Sequence, residues 1–167
     1  MSTGRAPLPF DPIQEAARLW DERWGETPRM RAVTSLMRVH QLVLTELDEL
    51  LRPLGLTFAR YEVLVLLSFS RRGALPLGKI GERLQVHATS VTPLVKRLES
   101  AGLIQRTPHP EDGRAVLASI TPDGQRVLRQ ATEAIVSAQF GLAAMSDEQC
   151  DDLTSLLTPP RSAAGDF

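Results

Sequence analysis

Thr89, Ser90, Thr92, Lys96 and Arg97 fall within nine residues, at offsets that gather them on one side of a helix. Hydroxyls in such a setting donate to and accept from base edges and phosphates, and Lys and Arg bind phosphate or guanine. That is the chemistry of contact with double-stranded nucleic acid. A solvated helix face, with Thr89 and Ser90 simply filling a first turn, is the bland alternative. Pro93 stands among these residues and offers no hydrogen-bond donor. His87 occupies the expected N-cap of the same helix. Histidine caps poorly, so the position stays open between capping and phosphate contact. Farther on, Arg114 follows Asp112. A guanidinium there suits a narrow minor groove or a phosphate, with Asp112 holding it through a bidentate pair. The alternative for these two is a surface ion pair of little consequence.

The segments around these residues supply a frame. Leu77, Ile80 and Leu84 repeat with helical spacing. A turn follows, and then a second helix whose apolar positions are Val91, Leu94, Val95 and Leu98. Gly102 ends it, as the residue type that enters the left-handed region without penalty. Leu103–Thr107 and Arg114–Ile120 read as strands around a turn at His109–Gly113, whose Asp-Gly pair signals a hairpin. Helix, turn, helix and hairpin in this order make a helix-turn-helix with a wing, and Arg114 sits near the wing tip.

These residues resemble the winged helix of the multiple antibiotic resistance regulator (MarR) family. The family's wing pattern is present as Asp112-Gly113-Arg114, Val116-Leu117, Ile120 and Thr121-Pro122-Asp123-Gly124. Its recognition-helix pattern is present as Thr89-Ser90-Val91-Thr92 and Arg97-Leu98-Glu99-Ser100-Ala101-Gly102-Leu103. The likeness extends over roughly residues 29–157. It implies His87, Thr89, Ser90, Thr92, Pro93, Lys96, Arg97 and Arg114 as DNA-facing residues, with Asp112 supporting the wing. The chain departs from the family at Pro93, where a polar residue able to reach a base is common. An internal proline either bends a continuous helix or marks a later start, with Thr92 as N-cap. The shared stripe of Val91, Leu94, Val95 and Leu98 favours one continuous, bent helix.

The bulk numbers fit such a reading only through their distribution. The net charge is −1 over 167 residues. From Ser70 to Arg114, however, eight basic residues stand against four acids. A basic module inside an acidic body can engage phosphate locally. No apolar run approaches the roughly 20 residues that span a bilayer. The N-terminus lacks a signal-peptide core and a single cysteine excludes an internal disulfide, so the chain reads as cytoplasmic. There is no phosphate-cradling glycine loop, paired-carboxylate motif or Ser/His/Asp set, and the three histidines have no ligand-spaced neighbours. No enzymatic activity, metal or cofactor is expected. Some members of the family sense peroxide through cysteine. Cys150 lies among Asp147, Glu148, Asp151 and Asp152, whose negative charge disfavours the thiolate, has no second cysteine to resolve a sulfenic acid, and reads as a plain helix residue.

The remaining segments are helical. Residues 1–10 read as a disordered tail. Residues 11–54 hold a helix started by Asp11-Pro12 and stopped by Gly25, then one from Thr27-Pro28 to about Leu51 ended by Pro53. The winged module takes residues 55–121, with Thr57 capping a helix over Phe58–Ser70 whose inward residues are Phe58, Tyr61, Val65, Leu66 and Phe69. Residues 122–158 hold a long helix carrying Val127, Leu128, Ala131, Ile135, Ala138 and Leu142, and a last one from a capping box at Ser146–Gln149 to Leu157. Thr158-Pro159-Pro160 stops it, leaving 159–167 as a tail.

The expected fold is mainly α with a small β-hairpin wing, a winged helix-turn-helix in an intertwined dimer. The apolar stripes of the end helices exceed what one small core covers, and a second copy is the simplest partner. The family likeness implies the same interface. Trp20 and Trp24 read first as dimer packing. Urate-responsive relatives carry a similar extra N-terminal helix with a pocket tryptophan. This implies a second reading, a ligand pocket formed by Trp20, Trp24, Arg38, His40 and Tyr61. The function expected is a sequence-specific regulator of transcription, a homodimeric repressor on an inverted-repeat operator, released by a small aromatic or anionic effector. The alternative is a protein-interaction module or anti-repressor that keeps the fold without specific DNA binding.

Overall fold

The computed structural model describes residues 8–26, 28–70, 73–85, 88–109 and 115–167, with Ala88 and Thr89 described by backbone alone. The chain divides into two compact units, up to Thr45 and from Glu46 onward. The division falls earlier than the expected boundary at 54–55. Its physical reason is that Leu47 and Leu51, at the end of the second helix, are buried and belong to the core of the second unit.

The first unit holds α1 (Pro12–Trp24) and most of α2 (Pro28–Leu51). The Asp11 carboxylate accepts from the N–H groups of Ile13 and Gln14, and proline opens the helix where its missing donor costs nothing. Gly25 stops it at φ 87°. The start of α2 at Pro28 matches expectation, whereas Thr27 lies outside the described residues.

The second unit carries the winged module. Its elements are the end of α2, a 3-10 turn at Arg52–Leu54, α3 (Phe58–Phe69), β1 (Ala74–Pro76), α4 (Leu77–Leu84), α5 (Ala88–Ser100), β2 (Ile104–Pro108), β3 (Val116–Ile120), α6 (Pro122–Ser137) and α7 (Asp147–Ala163). The sheet is antiparallel in the order β1-β3-β2. Leu75 pairs with Ala118, and Ile104 with Ile120. Both strands of the wing were expected. The third strand was not, because three residues ending in proline make no readable period, and only an edge tolerates proline there. β2 is shifted by one residue, leaving out Leu103 and taking in Pro108, and β3 begins after Ala115, while Arg114 lies outside the described residues.

Three further expectations fail. Thr57 sits at the N-cap of α3 without a side-chain capping bond. Asp48 takes that role instead, accepting from the Phe58 N–H at 2.7 Å, while the Thr57 hydroxyl accepts from Arg60. The buried residues of α3 are Tyr61, Val63, Leu64 and Leu67, whereas Phe69 is 78% exposed. The helix is apolar nearly all round, so periodicity alone could not choose its inner face. Finally, α6 ends at Ser137 and not beyond Leu142. Gln139, Phe140 and Gly141 then adopt positive φ, which no helix can continue through.

The C-terminal helix also departs from expectation. The capping box at Ser146 and Gln149 forms, but α7 runs through Pro159 and Pro160 to Ala163. Those residues are therefore helix, not tail. Each proline forfeits one backbone bond, yet α7 has no buried residue, so the freed carbonyls of Ser155 and Leu156 meet water.

One joint fixes how α5, the wing and α6 meet. Gly102, at φ 72°, ends α5 in a Schellman arrangement: Leu103 N–H donates to the Leu98 carbonyl and Gly102 N–H to that of Glu99. The Thr121 hydroxyl donates to the Gly102 carbonyl at 2.8 Å and accepts from the Gly124 N–H at 3.0 Å. A Cβ on Gly124 would stand 2.0 Å from the Leu103 carbonyl oxygen. The Thr-x-x-Gly pattern is thus a packing requirement: only glycine lets α6 start against the turn that leaves α5.

Candidate nucleic-acid interface

α5 is continuous across Pro93, which excludes the later start at Thr92. Val91, Val95 and Leu98 are buried at 0–1% exposure and Leu94 is half-buried. Ser90, Thr92, Pro93, Lys96, Arg97 and Ser100 are exposed. The buried stripe holds the helix against the second unit's core and thereby aims the polar side outward. Four of the expected contact residues, Ser90, Thr92, Lys96 and Arg97, share that side with Pro93. Thr89 lies in the helix, and its side chain is outside the description. His87, Asp112 and Arg114 also lie outside the described residues, as do Arg71 and Arg72.

Ion pairing separates the cations of this region. Lys79 is engaged by Glu82 at 2.7 Å, and Arg106 on β2 donates to Glu99 on α5 at 2.7 Å. The Arg106 guanidinium holds the Glu99 carboxyl below the usual carboxylate range, and Glu99 in turn raises the arginine. Lys96, Arg97 and Arg83 make no ion pair among the described residues, which leaves them to meet phosphate. The Glu99–Arg106 tie fixes the first wing strand to α5. Sequence reasoning missed it, because seven residues and a turn separate the partners.

A second unforeseen residue is Arg60. It lines a shallow groove of about 560 Å³ together with Pro93, Lys96, Arg97, Ser100 and Ala101. Its guanidinium donates to the Gly55 carbonyl at 2.8 Å and to the Thr57 hydroxyl at 3.2 Å. Nothing in the local sequence around Arg60 marks it as a neighbour of α5.

The residues expected to form an effector pocket divide between the units. Trp20, Trp24, Arg38 and His40 belong to the first, and all four are exposed. The two indoles pack at 4.7 Å between centroids and 56° between planes. The Arg38 guanidinium donates to the Gln41 side chain at 3.5 Å. Tyr61 belongs to the second unit, is 6% exposed and shares a hydrogen bond of 3.2 Å with Thr132. Cys150 is half-buried near the start of α7. Among the described residues no cluster of His, Cys, Asp and Glu is placed to hold a metal ion, and no helix is long and apolar enough to cross a membrane.

A helix-turn-helix whose second helix shows a hydroxyl- and cation-bearing side, followed by an antiparallel hairpin, defines a winged helix-turn-helix protein. The MarR family model matches residues 56–116. A MarR family transcriptional regulator from Streptomyces coelicolor is 50% identical, with a TM-score of 0.78, covering 84% of this chain and 98% of that one. A second regulator of the family from the same organism, solved in complex with DNA, is 25% identical with a TM-score of 0.75, covering 83% of this chain and 92% of that one. The organic hydroperoxide resistance transcriptional regulator of Bacillus subtilis is 37% identical over 65% of this chain and 71% of its own length. The chain spans about half of other curated relatives, 57% in the case of the transcriptional repressor MdtR of that bacterium. The chain belongs to the MarR family.

Proposed function

We propose that this protein binds an inverted-repeat operator as a homodimer and represses transcription until a small aromatic or anionic effector releases it. The observation that carries the reading is the outward side of α5, where Ser90, Thr92, Lys96 and Arg97 are exposed opposite a fully buried stripe. Lys96 and Arg97 have no acid partner among the described residues, so binding DNA breaks no ion pair of theirs. The relative solved with DNA and the relative named a repressor support the same reading. In it, Thr89, Ser90, Thr92 and Pro93 meet base edges, His87, Lys96 and Arg97 meet the phosphates flanking them, and Arg114, steadied by Asp112, reaches the minor groove from the wing.

Dimerisation is supported by the uncovered apolar residues of α2, among them Val33, Met37 and Leu42 at 51–60% exposure. A two-fold dimer presents two α5 helices to half-sites about 10 base pairs apart. The exposed Trp20–Trp24 pair supports an aromatic effector, which need favour the DNA-incompetent spacing by only a few kcal/mol.

The test is a titration of the protein's own upstream intergenic DNA at several salt concentrations. Saturation at two protomers per site, with affinity falling steeply as salt rises, is expected. No binding to that DNA at low salt would favour the protein-interaction alternative.

A further inference from the structure

Position 93 is the apex of the exposed side of α5. At about 100° per residue, Pro93 points opposite Val91 and Val95, both at 0–1% exposure. Ser90, Lys96 and Arg97 flank it within about one turn on either side, Ser100 stands about two turns on, and all are exposed. A helix laid in a major groove with its buried stripe turned away therefore presents residue 93 nearest the base edges. The groove beside it is lined by Arg60, Lys96 and Arg97, which place cations around an apolar centre.

We infer that Pro93 is a specificity-determining residue that reads the C5-methyl group of a thymine in each half-site. The inference rests on the DNA-binding reading above and deepens it. The proline ring has neither donor nor acceptor, and its nitrogen carries no hydrogen. Guanine, cytosine and adenine show polar groups in the major groove, and thymine adds the one apolar group, its methyl. A ring that covers a polar edge strips water from it and returns no hydrogen bond, which penalises that base. A ring that covers the thymine methyl removes apolar surface on both partners from water. The proline thus selects for thymine through shape and desolvation where a polar side chain would use hydrogen bonds. Because the helix is continuous through position 93, its register already fits a helical residue, and Pro93→Ser retains the fold.

The experiment titrates the full chain against fluorescein-labelled operator from its own upstream region, followed by anisotropy. Each thymine in turn is replaced by deoxyuridine, which removes the methyl and keeps every hydrogen-bonding group. The wild type is expected to lose about fourfold in affinity at one symmetry-related thymine per half-site, the factor for one methyl-sized apolar group. Pro93→Ser is expected to bind the two duplexes equally, with circular dichroism confirming its helix content. A wild type indifferent to deoxyuridine at every thymine overturns the inference while leaving DNA binding intact. So does a Pro93→Ser variant as sensitive as wild type, since another residue then reads the methyl. A wild type that binds none of the duplexes overturns the DNA-binding reading itself.

Discussion

In the second unit, Leu51, Val63, Leu64, Leu67, Ile80, Val95 and Ile135 are wholly shut off from water. In the first, Leu19, Trp20, Trp24, Val33, Leu36, Met37, Val39, Leu42 and Leu44 are 37–65% exposed, and among the described residues Ala17 alone is buried. Both regions carry helical apolar stripes of ordinary strength, so the contrast does not come from local pattern. It comes from partners: the stripes of α3, α4, α5 and α6 close on one another and on a sheet, whereas the stripe of α2 has only a short α1 in its own unit. A stripe left open over most of a 24-residue helix is the surface a second copy would cover. On the proposed reading, the second unit would hold the DNA-facing helix still and the first would join two copies.

This contrast is tested by one substitution in each region, a truncation in the closed core and a charge on the open stripe. Ile80→Ala should cost about 2–5 kcal/mol in chemical denaturation, because it leaves a cavity in a closed core. Met37→Asp should keep its far-ultraviolet circular dichroism and instead halve the mass seen by light scattering. A Met37→Asp protein that stays dimeric would remove α2 from the interface.

Gly124→Ala probes the joint between α5 and α6. The added Cβ meets a backbone carbonyl that has nowhere to go, so a loss of about 3 kcal/mol or more is expected in thermal unfolding. Gly78, whose Cβ would meet nothing within 4 Å, is the control: Gly78→Ala should be neutral or stabilising, as a helical glycine replaced by alanine gains up to about 1 kcal/mol.

Trp20→Ala should blunt the effector response more than it weakens DNA binding, as read by operator release across an effector series. A variant that responds like wild type would return the tryptophan pair to packing alone.

The smallest effect lies at the Glu99–Arg106 tie. A carboxyl lowered in the folded protein contributes stability that is full above its unfolded value, about 4.3. That contribution fades as pH falls through the lower folded value. Glu99→Gln should therefore be slightly less stable than wild type at pH 7, with the gap closing in acid. Both side chains are about one-third exposed, so the difference stays small. A gap that persists unchanged in acid would show that the ion pair is not its source.

Legibility followed the same division. α5, the hairpin and the Thr121–Gly124 start could be read because glycine, capping hydroxyl and period-3.6 spacing all act within a few residues. The inner face of α3 could not, since a helix apolar on nearly every side leaves the choice to tertiary packing. The run of α7 through Pro159-Pro160 was hidden because local rules price a proline's missing bond without knowing that Ser155 and Leu156, whose carbonyls it frees, are exposed. Of the interface, the outward set on α5 was legible from spacing, whereas Arg60 and the Glu99–Arg106 tie depend on contacts between elements.

On the proposed reading, the outward side of α5 meets DNA phosphates flanking its base contacts. The most direct test is the salt dependence of operator affinity for wild type, Lys96→Ala and Arg97→Ala. The log–log slope should become shallower by about two units in each variant, since the dimer loses one phosphate contact from each of its two protomers at about 0.9 per contact. Slopes equal to the wild-type value in both variants would contradict the placement of α5 on the DNA.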